Sequence, residues 1–108
     1  MNYSVEVTSP FKNQAKRLLK KYPSLKSELS LLFENLETNP KQGTALKNNC
    51  FKMRLAIASK GKGKSGGARV ITHVQVIRSK VYLLSIYDKS EQSTISDKDL
   101  DVWLNLIP

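Results

Sequence analysis

The sequence has 108 residues, of which 40% are hydrophobic and 25% charged, and a formal net charge of +9 at pH 7. This length and composition predict one domain over residues 1–108 with a modest core. No apolar run of 18 residues occurs, which argues against a membrane-spanning helix, and the first residues lack the pattern of a signal peptide. The single cysteine, Cys50, excludes an internal disulfide and fits a reducing compartment, so we expect a cytoplasmic protein.

The N-terminal third predicts a strand followed by two helices. The alternation in NYSVEVT is typical of a half-buried strand. Ser9 as N-cap and Pro10 as first helical residue begin a helix, which Pro23 ends at Tyr22. Ser24 begins a second helix. Its apolar stripe comprises Leu25, Leu29, Leu32, Phe33 and Leu36. Two short amphipathic helices with a tight joint predict a helical hairpin packed on a sheet.

The second half predicts three strands and a final helix. Alternating residues 51–57 and the β-branched residues of 68–77 form two strands, and the nearly apolar run 80–89 forms a third, buried on both sides. Ser96 begins the last helix, with two aspartates in its first turn. Its inner stripe comprises Leu100, Trp103, Leu104 and Ile107. The predicted fold is an α+β domain whose small, mostly antiparallel sheet packs against the N-terminal hairpin, with a C-terminal helix.

Basic residues are concentrated in the middle of the chain. Between Thr38 and Tyr87 there are ten basic residues and no acidic residue, so this stretch carries +10 and the remainder −1. The ten are Lys41, Lys47, Lys52, Arg54, Lys60, Lys62, Lys64, Arg69, Arg78 and Lys80. A surface that is merely solvated mixes both signs. The segregation therefore favours a face that binds a polyanion, for which nucleic acid is the first candidate.

Four of the five glycines lie in residues 59–69, SKGKGKSGGAR. A phosphate-binding loop would need glycine where Ala58 stands and a helix after the motif, whereas a strand-like run follows. Two interpretations stay open: a solvated hairpin loop, or the rim of a polyanion site. In the second, Lys60, Lys62 and Lys64 dock the polyanion rather than take part in chemistry, because a flexible segment does not hold a catalytic group within about 0.5 Å.

The polar faces of the predicted strands 51–57 and 68–77 are also basic. If residues 51–57 pair with 68–77, Lys52, Arg54, Arg69 and His73 lie side by side, since strand side chains alternate with period two. Such cations repel one another unless an anion lies between them. The alternative is that each occupies a solvated surface separately, with His73 a structural strand residue. Cys50 is interpreted as a small packed residue at a strand entry rather than a nucleophile.

Two runs, FKMRLAIASKGKGKSGGARVI (51–71) and KVYLLSIYDKSEQSTIS (80–96), resemble the RelE/ParE superfamily of type II toxins, in particular its RelE/HigB-like mRNA interferases. The resemblance extends over nearly the whole chain. It implies a RelE-like fold and a toxin that cleaves mRNA, typically in the ribosomal A site. It also implies a cognate antitoxin that silences the toxin, and a toxin–antitoxin complex that binds its operator DNA through the antitoxin.

The resemblance carries over to particular residues. Lys52 and Arg54 match the family's basic pair on a strand, and Arg69 matches the arginine after the glycine-rich loop. Lys89 falls where RelE-type members often have an arginine. The late tyrosine of some members aligns near Ile95, so this group is absent from the chain. The residues that could replace it in acid–base catalysis are Tyr87, Glu91 and His73.

RNA can be cleaved without metal when the ribose 2′-hydroxyl attacks the adjacent phosphate. Arg54 and Arg69 suit stabilisation of the phosphorane charge, and Lys52 among other cations could act as base or acid. One histidine, one cysteine and no paired acidic motif argue against a metal or cofactor. The predicted catalytic residues are Lys52, Arg54, Arg69, Lys89 and Glu91, and those binding RNA or the ribosome are Lys60, Lys62, Lys64, His73 and Tyr87.

Two other functions stay open. One is a ParE-like toxin that inhibits DNA gyrase without nuclease chemistry, and the other is a nucleic-acid-binding module without activity. The resemblance favours the nuclease, because ParE-like members do not usually keep all four of Lys52, Arg54, Arg69 and Lys89.

Overall fold

The computed structural model describes residues 2–61, 63–92 and 94–108, without the side chains of Lys64 and Ser65. A five-stranded sheet in the order β1-β5-β4-β3-β2 carries a helical hairpin on one face and the last helix on the other. The elements are β1 (Ser4–Val7), α1 (Ser9–Lys21), α2 (Leu25–Thr38), β2 (Thr44–Ala45), β3 (Cys50–Leu55), a 3-10 turn (Ala58–Lys60), α3 (Gly63–Gly66), β4 (Ala68–Gln75), β5 (Lys80–Asp88) and α4 (Asp97–Leu104). The predicted fold class is confirmed.

The sheet is antiparallel except at one edge. β2, β3, β4 and β5 pair antiparallel, whereas β1 lies parallel to β5. β5 therefore has a neighbour on each side, and its residues from Val81 to Asp88 are all buried, as its apolar sequence predicts. The pairing of β4 with β5 shifts between Ile71 and Thr72.

The start of α1 is fixed to the sheet. Thr8, not Ser9, is the N-cap, so the prediction is wrong by one residue. The Thr8 hydroxyl donates to the carbonyl oxygens of Leu83 (2.9 Å) and Leu84 (3.2 Å) rather than accepting from the helix. A buried hydroxyl needs a partner, and here the partner is the backbone of β5. The chain therefore enters α1 at a defined point on the sheet.

Two apolar layers cover the sheet. The hairpin layer includes the predicted stripe of α2, with Leu25, Leu29, Leu32 and Leu36 buried and Phe33 half-buried. The layer under α4 comprises Cys50, Ile71, Tyr82, Leu84, Tyr87 and Leu100, with Trp103, Leu104 and Ile107 packed against it. Ser96 caps α4 as predicted, because its hydroxyl accepts from the Asp99 N–H at 3.1 Å and its own N–H donates back to the Asp99 carboxylate.

Three short elements were not predicted. They are β2, the 3-10 turn and α3; the turn overlaps the start of the glycine-rich segment, and α3 lies within it. Their sequences carry no helical or strand periodicity long enough to recognise. In the described part of the chain, no helix is long and apolar enough to cross a membrane.

Candidate functional site

Three side chains form a row across the sheet. Arg54 on β3 pairs with Arg69 on β4, and Arg69 pairs with Tyr87 on β5. The neighbours Met53, Ala68 and Val70 point into the hairpin layer, so the row lies on the α4 face. Alternation alone thus brings two arginines and a phenol together, as the strand pattern predicts for the arginines.

The row is exposed at β3 and buried towards the middle of the sheet. Arg54 is exposed, whereas Arg69 is 6% exposed and Tyr87 is 3% exposed. An Arg69 Nη1–H donates to the Ala68 carbonyl oxygen at 3.2 Å. The Tyr87 hydroxyl has no hydrogen-bond partner among the described residues. Burial raises the pKa of Tyr87, and the charge of Arg69 acts in the opposite direction. Tyr87 is therefore a neutral phenol with a proton to donate at neutral pH.

Lys52 continues the basic face two residues before Arg54. It pairs with Ile71 and is half-buried. It lines a small cleft of about 180 Å³ between β3 and the start of α4, together with Lys47 and residues 94–97. The structure therefore brings Lys52 to the same face as the row, beside a space that a small group could enter.

The two predicted catalytic residues after β5 lie apart from each other. The Lys89 N–H donates to the Gly67 carbonyl oxygen at 3.0 Å, which places Lys89 at the same end of the sheet as Arg69. Glu91 instead contacts α1, with its carboxylate 3.1 Å from Arg17 Nη1 and 3.8 Å from Lys21 Nζ. A carboxylate held by two helix cations is not brought to the row, and the predicted catalytic role of Glu91 is not supported.

His73 lies at the other end of β4. It is the fourth residue after Arg69, which is roughly 13 Å along the strand. Its Nδ1 is 3.7 Å from the Sγ of Cys50. Burial lowers the pKa of His73, against a hydrogen bond to the Asn48 backbone, and burial raises the pKa of Cys50 to about 11, against the charge of Lys47. A protonated thiol is a poor nucleophile, so this pair fits packing beneath α4.

No protein-family model matches this sequence. The fold, however, is similar to that of a solved structure, a double arginine-to-alanine mutant of the E. coli toxin RelE in the free state. The two share 14% identity over 100% of both chains, with a TM-score of 0.62. The chain has a RelE-like fold. The same mutant bound to a peptide of the antitoxin RelB aligns at 14% identity over 100% of this chain and 97% of that one, with a TM-score of 0.49.

The RelE-like sheet ends beside a buried ion pair that the sequence did not predict. The Lys60 ammonium contacts the Asp88 carboxylate, and the two side chains are 8% and 0% exposed. Lys60 also donates to Ser90 Oγ at 3.1 Å and lies over the Tyr22 ring. The predicted docking role of Lys60 is therefore not supported, because its charge is used inside the molecule. Lys62 and the side chain of Lys64 lie outside the described residues.

The Asp88 carboxylate accepts four hydrogen bonds from described residues. Besides Lys60, its donors are the Tyr22 hydroxyl at 2.7 Å, the Ser90 N–H at 3.0 Å and the Ser90 hydroxyl at 2.8 Å. Burial by itself would raise the pKa of Asp88, but the bonds from Lys60, Tyr22 and Ser90 outweigh it and hold that pKa well below its ordinary value. A signal for this was present: Asp88 ends a strand whose preceding residues are apolar, and a buried carboxylate requires a cation.

The 3-10 turn is also held by α2. The Ala58 N–H donates to the Glu28 carboxylate at 2.7 Å, and the Ser59 N–H donates to the Ser24 hydroxyl at 2.9 Å. Ser24 occupies the predicted N-cap position, but its hydroxyl accepts from the turn and donates to the Glu28 carboxylate at 3.1 Å, and it caps no backbone N–H of α2. The start of the glycine-rich segment in this RelE-like fold is thus an anchored turn.

Proposed function

We propose that this RelE-like chain is the toxin of a type II toxin–antitoxin system and acts as a metal-independent, ribosome-dependent mRNA endonuclease. The observation that carries the proposal is the row Arg54, Arg69 and Tyr87, which places two guanidinium groups and a neutral phenol across adjacent strands. Lys52 and Lys89 flank it at the same end of the sheet. The row lies in a fold shared with a bacterial toxin.

In the proposed reaction the 2′-hydroxyl attacks the adjacent phosphorus and the bond from phosphorus to the 5′-oxygen breaks, leaving a 2′,3′-cyclic phosphate and a 5′-hydroxyl. Arg54, the exposed member of the row, receives the phosphate first. Arg69 then faces the non-bridging oxygens, where negative charge grows in the transition state. Guanidinium groups match phosphate oxygens in a fork geometry, and preorganised donors of this kind stabilise such charge strongly.

Proton transfer is assigned to Lys52 and Tyr87. Lys52, in its neutral amine form, accepts the proton of the 2′-hydroxyl and becomes an ammonium, and Tyr87 gives its proton to the departing 5′-oxygen and becomes a phenolate. Tyr87 suits the role of donor because its phenol is neutral and its hydroxyl is engaged with no other described group. The phosphate, once bound by Arg69, is the partner that this hydroxyl otherwise lacks.

Ribosome dependence follows from what the row offers. The row consists of two arginines and one tyrosine, so it supplies charge stabilisation and a single phenol for proton transfer. Such a site gains most from a partner that holds the 2′-hydroxyl in line with the phosphate, since orientation can remove about 7–11 kcal/mol of a barrier. The translating ribosome in the cytoplasm is that partner in this proposal. A cognate antitoxin silences the toxin, and the complex binds operator DNA through the antitoxin.

The test compares one labelled mRNA free in solution and the same mRNA programmed on ribosomes, each with and without chelator. We expect efficient cleavage of the ribosome-bound message, poor cleavage of the free message and no effect of chelator. Equal cleavage of both messages, or activity lost with chelator, contradicts the proposal.

The same preparation separates the alternatives. Inhibition of DNA supercoiling by gyrase with intact mRNA would indicate a ParE-like toxin. Salt-dependent RNA binding without cleavage would indicate a binding module.

A further inference from the structure

Three segments of the chain meet at one buried carboxylate. Tyr22 lies at the end of α1, Lys60 lies in the 3-10 turn, and Ser90 lies in the turn after β5. All three donate to Asp88, which is fully buried. We infer that Asp88, together with Lys60 and Tyr22, is a positioning centre for the row Arg54, Arg69 and Tyr87; the inference rests on the proposed nuclease function.

The position of Asp88 in the chain makes it suited to this role. It directly follows Tyr87 and directly precedes Lys89, so the hydrogen bonds that hold its carboxylate also constrain the backbone that carries both. The Ser90 N–H bonds the same carboxylate two residues later, which fixes the turn that carries Lys89. One side chain thus sets the end of β5 and the direction of the chain beyond it.

Lys60 connects Asp88 to the glycine-rich segment. This segment begins in the 3-10 turn and runs to Arg69. Its start is held by Asp88 and, from the other side, by Ser24 and Glu28 of α2. Its end is held at Gly67, whose carbonyl oxygen accepts from the Lys89 N–H at 3.0 Å and whose backbone lies too close to the Leu55 carbonyl oxygen to admit a side chain. The backbone that delivers Arg69 is therefore anchored on both sides of the glycines.

Stability alone does not explain this arrangement. Replacing a buried ion pair by apolar residues of similar volume is often neutral or stabilising. An apolar contact has no preferred direction and would not fix the orientation of the turn. Hydrogen bonds from an ammonium, a phenol and a backbone N–H fix the carboxylate in direction as well as distance. The cluster lies on the hairpin face, opposite the row, and is thus suited to hold at a defined geometry the two backbone segments that carry the reacting groups.

The experiment uses the double variant D88N/K60M, which removes both charges and keeps similar side-chain volumes. The measurements are kcat and KM on programmed ribosomes, the urea unfolding midpoint, and amide hydrogen exchange. The matched control is Leu36→Ala, which removes a fully buried side chain at the far end of α2 and destabilises the core without touching the cluster. Tyr22→Phe removes one bond to Asp88 and serves where the double variant does not fold.

We expect kcat of D88N/K60M to fall about 10–100-fold, as misplacement of a catalytic group by about 1 Å can cause, with little change in KM. Its exchange should rise in residues 58–61 and 89–91. Tyr22→Phe should show both changes to a smaller extent. L36A should lower the unfolding midpoint and keep kcat at temperatures where it is folded.

Wild-type kcat in folded D88N/K60M or Tyr22→Phe, or unchanged exchange in those residues, overturns the inference. An activity loss in L36A as large as in the double variant overturns it also, since stability would then account for the effect. If the wild-type chain cuts no message, the proposed function fails. The exchange measurement then still decides whether Asp88 holds the two segments.

Discussion

Arg69 and Tyr87 are costly side chains to bury, and each needs a compensating contact. Buried polar groups without partners typically cost about 1–3 kcal/mol, and more when charged. The Tyr87 hydroxyl meets no partner among the described residues, although it lies on a strand next to a guanidinium. A group left in that state in a small fold is a candidate for binding something that arrives later.

Arg69→Ala should abolish growth inhibition while the domain stays folded. Removal of one preorganised charge donor costs about 2.7–4 kcal/mol of transition-state stabilisation, which corresponds to about 10²–10³ in kcat. The measurement is cleavage on programmed ribosomes, with folding checked by circular dichroism.

Arg78→Ala is the matched control for Arg69→Ala. It removes the same charge from an exposed turn at the other end of β4 and should behave as wild type. A folded Arg69→Ala protein that still arrests growth at equal expression would contradict the assignment.

Tyr87→Phe should separate function from stability. The change deletes a buried hydroxyl that bonds to no described group, so the free energy of unfolding should stay the same or rise. If the phenol is the proton donor, kcat should fall by about 10²–10⁴. Stability comes from urea unfolding and kcat from single-turnover cleavage.

Thr72→Val is the control for Tyr87→Phe. The Thr72 hydroxyl is also buried without a described hydrogen-bond partner. In the sheet, however, residue Thr72 is paired with Phe51 and Leu83, whose side chains lie in the hairpin layer and not on the face of the row. This variant should keep full activity. An active Tyr87→Phe enzyme would remove Tyr87 from the mechanism.

The glycine-rich segment behaves as an element with two parts. Its first part, the turn Ala58–Lys60, is bonded to α2 and to the end of β5. A freely solvated linker, one of the two interpretations of this sequence, does not describe that part. The RNA-binding prediction therefore rests on Lys62 and Lys64, which lie further along the segment.

The double change of Lys62 and Lys64 to alanine should weaken ribosome binding and make it less dependent on salt. Each lost phosphate contact reduces the slope of log K against log salt by about 0.7 for single-stranded RNA, so two should reduce it by about 1.4. Binding is measured over a range of salt concentrations. Alanine at Lys12 and Lys16, two exposed lysines on α1, gives the same charge change on another surface. An equal slope in both double variants would mean that the loop lysines are only solvated.

At the scale of the molecule, several carboxylates are bonded to other groups of the protein, Asp88 in the interior and Glu91 at the surface. Asp88 is paired with Lys60, Glu28 accepts from the Ala58 backbone, and Glu91 is paired with Arg17. The middle of the chain, residues 39–86, contains ten basic residues and no acidic residue. A surface of one sign attracts nucleic acid from a distance and accelerates encounter, particularly at low salt.

Asp88 should contribute to acid unfolding of the whole domain. Its pKa is lowered by folding, so its contribution to stability is complete above the carboxyl pKa of the unfolded chain, about 3.9, and is lost as pH falls below it. The free energy of unfolding should therefore fall more steeply below about pH 4 in the wild type than in D88N/K60M. Urea unfolding at several pH values between 2 and 6 measures the difference. Asp101→Asn, which removes an exposed partner of Lys47, should keep the wild-type slope; parallel curves for wild type and D88N/K60M would contradict the role of Asp88.

Local periodicity was sufficient to predict the main elements and the fold class. Alternation with period two and apolar stripes with period 3.6 are properties of neighbouring residues, so strands β3 to β5 and the helical hairpin are visible in the sequence. The alignment of Arg54 with Arg69 follows in the same way, because two strands joined by a hairpin bring like faces together. The predicted ends of elements differ by a residue or two, as at Thr8, where the cap hydroxyl bonds a distant strand.

The tertiary structure alone decided which basic and acidic groups are available. Asp88 meets Tyr22 across 66 residues and Lys60 across 28, and Glu91 meets Arg17 across 74. No local pattern encodes such distances, because they depend on how the hairpin lies on the sheet. For this reason Lys60 is an internal anchor although its sequence resembles that of a solvated loop, Glu91 faces α1, and His73 lies at the far end of the strand that carries Arg69.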